Sequence, residues 1–215
     1  MACHRRWGWL LLAMGIVSPA FSAPLTHDQA LAAIDQAEPA ARLAGVERLA
    51  EIGVVADANR LLPSLRDADA RVRSAAEAAI WALWGRSGDP AIDTLYARGL
   101  AQMDASALVD ALATFDDIVK RQPAFAEGWN KRATLQFLLG HNEQSLHDCD
   151  EVLKRNPHHF GALAGAGQIH QQLGHLELAL AFFKRALAIN PNIDGLAPAI
   201  QQLEQRLQRQ RGMST

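Results

Sequence analysis

The chain has 215 residues, 49% hydrophobic and 20% charged, a globular composition long enough for one large or two small domains. Its formal charge of -2 supplies no phosphate-neutralising surface, so nucleic-acid binding is not expected. Aromatic content is 6%, Ala and Leu dominate, and Val, Ile and Thr form no alternating runs, which favours helices over strands.

The first residues stand apart. His4, Arg5 and Arg6 are positive, Trp7 to Val17 are apolar, and Ser18 to Ala23 are mostly small. This pattern predicts a secretory signal peptide over residues 1–22, with Ala20 and Ala23 as alternative cleavage sites to Ser22, and hence an exported, periplasmic protein. The alternative is an uncleaved N-terminal tether. The apolar run is shorter than the roughly 20 residues that span a bilayer, so no membrane insertion is expected after cleavage. Removing Arg5 and Arg6 leaves 19 basic against 23 acidic side chains, a charge of -4. Cys149 then has no intrachain disulfide partner.

Residues 27–88 read as helices. Ala30, Leu31, Ile34 and Ala37 make one apolar face, and Leu43, Val46, Leu49 and Ile52 another, bracketed by Pro39 and Gly53. Ala58, Leu61, Leu62 and Leu65 lead into a turn at Arg66 to Asp69, and Asp69 is placed to cap a helix opening at Val72-Arg73. The stretch from Leu61 to Ala76 resembles a HEAT-type repeat, with a degenerate copy at 40–56. That resemblance implies two helices joined by an Asp-containing turn. Trp81 and Trp84 form a large apolar ridge, read as packing at a seam between two helical units, with a binding hot spot as the minority reading.

Pro123, Pro157 and Pro191 recur at a spacing of 34 residues, each closing a similar phrase. A proline cannot continue a helix, so each marks a helix end. The blocks 92–125, 126–159 and 160–193 agree internally. Block position 8 holds Gly99, Ala133 and Gly167; position 20 holds Ala111, Ser145 and Ala179; position 24 holds Phe115, Cys149 and Phe183. With Leu163, Leu173-Gly174 and Ala186, the third block resembles the tetratricopeptide repeat family. The second shares Trp129 and Gly140 but departs at Ser145 and Cys149, and the first has Ser106 for the turn glycine. The resemblance implies helices near 91–104, 107–121, 125–139, 142–155, 159–173 and 176–189. Asp194 to Arg211, with Leu196, Ile200, Leu203 and Leu207 at helical spacing, then reads as a capping helix. The expected fold is all-α: a right-handed helical-hairpin solenoid of three repeats over 91–193, a cap over 194–211, and a preceding HEAT-like segment.

Chemistry-bearing patterns are absent from the sequence. There is no phosphate-binding loop, nucleophile elbow or zinc-ligand spacing. His141 and His175 are repeat equivalents and should not converge on one ion. Glu143, His147 and Glu151 share a helix stripe read as a solvated face, and Cys149 reads as a buried, inert thiol. No catalytic residue, cofactor or metal is expected.

The family resemblance implies a concave groove lined by the first helix of each repeat. It carries over to Asp93, Tyr96, Leu100, Met103 and Asp104, to Glu127, Asn130, Thr134, Phe137 and Leu138, and to Gly161, Ala164, Gln168, Gln171 and Gln172. Tyr96, Met103 and Phe137 would anchor apolar side chains, while Asn and Gln would pair with a peptide backbone. Some family members clamp a terminal carboxylate. The corresponding places here are Tyr96, Leu100, Lys131, Gly161 and Gly165, with Lys131 the one cation, which argues against that ligand class. The leading expectation is a periplasmic adaptor or assembly factor binding a protein or peptide. The alternatives are an envelope-complex subunit docking through Trp81 or Trp84, and a histidine-based metal carrier or enzyme.

Overall fold

The computed structural model describes residues 23–212, and all regular structure among them is helical. The expected signal segment lies outside the described residues. Helix α1 (His27–Ala33) opens with a reciprocal cap: the Thr26 hydroxyl accepts from the Gln29 N–H, and the Gln29 side chain accepts from the Thr26 N–H. Helix α2 (Pro39–Ile52) begins at a proline, where the missing N–H would be free anyway, and stops at Gly53.

A 3₁₀ turn (Val55–Asp57), α3 (Ala58–Leu61) and a second 3₁₀ turn (Leu62–Arg66) follow. The regular helix that the HEAT resemblance implies ahead of the Asp turn is therefore reduced to one α-helical turn. Pro63 has no N–H to return to the preceding turn, and the chain tightens instead. The turn itself is fixed by charge. Arg42 of α2 holds both oxygens of Asp67, at 2.6 and 2.8 Å. Asp69 caps α4 (Ala70–Trp84) by accepting from the Arg71 N–H at 2.8 Å. The core of this N-terminal unit gathers Val46, Leu49, Leu61, Leu65, Ile80 and Leu83, all shielded from water.

Six helices then pair as three hairpins: α5 (Pro90–Asp104) with α6 (Leu108–Arg121), α7 (Ala126–Leu138) with α8 (Asn142–Arg155), and α9 (Phe160–Gln172) with α10 (Leu176–Ile189). Helix α11 (Leu196–Gly212) covers α10. All seven begin and end within two residues of the spans expected from the sequence. The hairpin turns pass through left-handed backbone at the same repeat position, with φ of 58° at Ser106, 81° at Gly140 and 80° at Gly174. Within the third hairpin, a Cβ on Gly167 would lie 2.4 Å from Phe183, so glycine is what lets α9 and α10 close over that ring. In the middle hairpin the smaller Cys149 replaces the ring. The polar Ser145 is satisfied there, donating to the Ala133 carbonyl at 2.7 Å.

The N-terminal unit lies along the edge of the hairpin array where the proline phrases run, and it touches all three of them. Gln122 donates to the Ser87 carbonyl at 2.8 Å. Trp84 packs on His159 and Phe160. At the third phrase Arg66 donates to the Ile189 carbonyl at 2.9 Å and Asn192 to the Leu65 carbonyl at 2.7 Å. Phe160 belongs to the N-terminal core, and Ile189 and Ile193 pack against it. Equivalent turns 34 residues apart thus form a ladder on which the preceding unit docks.

Candidate peptide-binding groove

The residues expected to line one continuous groove separate into three groups. Tyr96, Leu100 and Met103 are half-buried against the core of the first hairpin, where Tyr96 meets Phe115 and Phe125 edge-on. Glu127 and Asn130, expected on the groove surface, are instead 1% and 8% exposed. Thr134, Phe137, Gln168, Gln171 and Gln172 remain accessible, Phe137 partly so.

The burial of Glu127 has a specific cause. Its carboxylate accepts from His159 Nε2 at 2.8 Å, Lys131 Nζ at 2.9 Å, Asn130 Nδ2 at 3.1 Å and the Tyr96 hydroxyl at 3.4 Å. His159 Nδ1 accepts from the Ala162 N–H at 3.0 Å, so the ring proton sits on Nε2 and points at Glu127. Burial by itself would raise the Glu127 pKa. The His159 hydrogen bond and the Lys131 charge outweigh it and hold the carboxyl at about 2. The Tyr96 hydroxyl is pushed up, first by its own burial and then by the Glu127 charge.

Two tryptophans close this end. Trp84 stacks on His159 with ring centroids 4.3 Å apart, and Trp81 stands edge-on to Phe160 at 5.1 Å. Lys131 Nζ lies 5.5 Å from the Trp81 ring centre, a cation–π distance. The seat exists because position 161 is glycine: a Cβ there would fall 2.4 Å from Trp81. Trp81 and Trp84 both pack at the seam, Trp84 only 5% exposed and Trp81 partly accessible. The one cation among the clamp-equivalent positions is neutralised by Glu127 and roofed by Trp81.

Further along, α7 and α9 part around a recess of about 70 Å³ lined by Asn130, Thr134, Phe137, Gly165 and Gln168, with Cys149 beneath. Burial, and then the Asp148 and Asp150 charges, push the Cys149 thiol up to about 12, so at neutral pH it is an apolar floor and not a nucleophile. Leu138 at the end of α7 is 57% exposed, and Gln171 and Gln172 continue the surface along α9. The accessible surface between α7 and α9 is thus short, uncharged and amide-rich.

Glu143 and His147 are exposed, and Glu151 is occupied by Lys154 and Arg155 at 2.5 and 2.7 Å. His170 and His175 approach to 3.5 Å at the turn of the third hairpin. Among the described residues no group of three or more His, Cys, Asp or Glu is placed to hold a metal ion, and no helix is long and apolar enough to cross a membrane. Sequence reasoning missed the Glu127–His159 pair, although the i, i+4 spacing of Glu127 and Lys131 was a visible part of its signal.

Comparison with known proteins agrees with this architecture. Residues 160–193 match the tetratricopeptide repeat family. A tetratricopeptide repeat-containing protein of Rhizobium etli is 36% identical over 86 residues, 40% of this chain and 42% of the relative. The chain therefore matches less than half the length of that relative. Among solved structures, the first TPR of Spaghetti (RPAP3) bound to an HSP90 peptide superposes with a TM-score of 0.52 at 20% identity, covering 54% of this chain and 92% of that one. The Sgt2 TPR domain from Aspergillus fumigatus gives 0.53 at 16% identity, covering 57% and 83%. At these identities the likeness is one of fold. The fold is an all-helical solenoid of tetratricopeptide type.

Proposed function

We propose that the chain is a non-catalytic, exported adaptor or assembly factor that holds an extended, uncharged segment of a partner protein across α7 and α9. The observation that carries this reading is the open recess where Thr134, Phe137 and Gln168 converge beside an already neutralised Lys131. Side-chain amides and hydroxyls can pair with a peptide backbone whatever its sequence, and the Phe137 ring offers an apolar contact. The Spaghetti domain is bound to the peptide SRMEEVD, which supports peptide binding as a mode for this fold. That peptide is acidic, and the groove here has no uncompensated lysine at the clamp positions, so a neutral segment fits better. The signal pattern of residues 1–22 supports a periplasmic setting.

The test is site-specific photocrosslinking in the native cell envelope, with the crosslinker at Thr134, at Gln168, or at Val109 on α6, which is 71% exposed. One adduct shared by the first two sites and absent from Val109 is expected. It should vanish when Thr134→Arg and Gln168→Arg are combined in a chain crosslinked from Leu138. An adduct of equal yield at Val109, or one indifferent to the arginines, removes the groove from the account. A second reading, docking into an envelope complex through the N-terminal unit, is favoured by a different surface. Ile52, Val54 and Val55 are 38%, 56% and 52% exposed in one short stretch.

A further inference from the structure

A second recess lies outside the groove. It encloses about 510 Å³ between the N-terminal unit and the turns joining α6 to α7 and α8 to α9, within the range of roughly 300–1,000 Å³ of small-molecule sites. Trp84 and Phe125 supply apolar walls, Arg86, Arg155 and His158 basic ones, and none of the lining residues is acidic.

The two guanidiniums are held in place by the chain. Arg86 donates to the carbonyls of Ala50, Glu51 and Gly53 at the end of α2. Arg155 donates from Nε to the Pro123 carbonyl and from Nη1 to Glu151, which leaves Nη2 unused. Glu151 offsets part of the Arg155 charge, but Lys154 binds the same carboxylate and restores the positive balance. Gln122 uses its Nε2 on Ser87, while its Oε1 is shielded from water and has no donor. Gln122 therefore braces the wall of the recess and does not present that oxygen to it.

We propose that this recess binds a small organic carboxylate: the anion against Arg155 and His158, and an apolar body between Trp84 and Phe125. The guanidiniums already serve several carbonyls, so few donors remain. That favours a singly charged planar anion over a phosphate, which asks for more of them. The site does not depend on the groove reading.

The probe is N-acetyl-L-phenylalanine, which joins a carboxylate to an apolar body, titrated by calorimetry into the chain. Its uncharged carboxamide is the matched control. Saturable one-to-one binding is expected, at least tenfold weaker for the carboxamide. Ala56→Phe fills the recess from an exposed position and should abolish binding. Asn59→Glu places a negative charge at the exposed rim and should weaken binding about tenfold. Both variants must keep wild-type helicity. Thr134→Arg with Gln168→Arg, in the groove, should change nothing. Three results overturn the proposal: equal affinity for acid and carboxamide, undiminished binding in a folded Ala56→Phe chain, or no binding heat up to about 10 mM probe.

Discussion

Glu127 is shielded from water yet ionised, because His159, Lys131, Asn130 and Tyr96 all donate to it. Its pKa is held at about 2 against an ordinary 4.5, so its contribution to stability is present above pH 4.5. That contribution is lost as pH falls from 4.5 towards 2, because the unfolded chain takes up the proton first. Glu127→Gln should destabilise the fold by about 2–4 kcal/mol at pH 7, below the full cost of breaking a buried pair because Lys131 is partly exposed and can turn to solvent. Urea titrations across pH 2–7 check this: the gap between wild type and variant should close as pH drops below 4.5. A gap constant over that range would mean that the ionisation of Glu127 is not what stabilises the fold. At this scale the sequence was partly legible. Ser145, Cys149 and the turn position at Ser106 stood out as departures from a repeating pattern. His159 did not, because its partner sits one repeat earlier and no local pattern joins them.

At the scale of elements, the turn between α5 and α6 is the least favourable of three equivalents. Ser106 holds φ at 58°, while Gly140 and Gly174 hold 81° and 80° without a Cβ. The left-handed region costs an L-residue about 1–2 kcal/mol, partly offset by the extra freedom glycine has when unfolded. Ser106→Gly should therefore stabilise the chain by about 0.5–1 kcal/mol, seen as a higher denaturation midpoint with unchanged slope. No gain would show that the turn is already relaxed. Helix positions were readable because their determinants are local: a proline at the end of each phrase, a left-handed turn and a 3.6-residue apolar period. The stretch ahead of the Asp turn was not. The pattern of Leu61, Leu62 and Leu65 suits a helix, yet Pro63 in its midst turns most of it to 3₁₀.

For the whole molecule, the relation between the two helical units decides how much groove is open, and composition and period are silent about it. The contacts that fix it join residues far apart in the chain, Arg66 with Ile189 and Leu65 with Asn192. Only the Trp81–Trp84 ridge hinted at a seam. Gly161 tests this arrangement, since its missing Cβ is the seat of Trp81. Trp81 cannot swing aside freely, being wedged against Trp84, His159 and Phe160. Gly161→Ala should therefore overpack the seam by about 1–3 kcal/mol despite the better helix propensity of alanine. The matched control is Gly165→Ala on the same helix, where the new Cβ meets only Cys149 at 3.9 Å and should be neutral or stabilising by up to about 1 kcal/mol. Hydrogen exchange separates the effects. In Gly161→Ala, protection should fall in α4 and the helices that share its core, α1 and α2, while α5, α6 and α8 keep theirs. Equal loss throughout would mean that the units unfold as one body and the N-terminal unit is an integral end of the solenoid. Selective loss would make it a docked cover, and Glu127 would then be a carboxylate that the cover keeps dry.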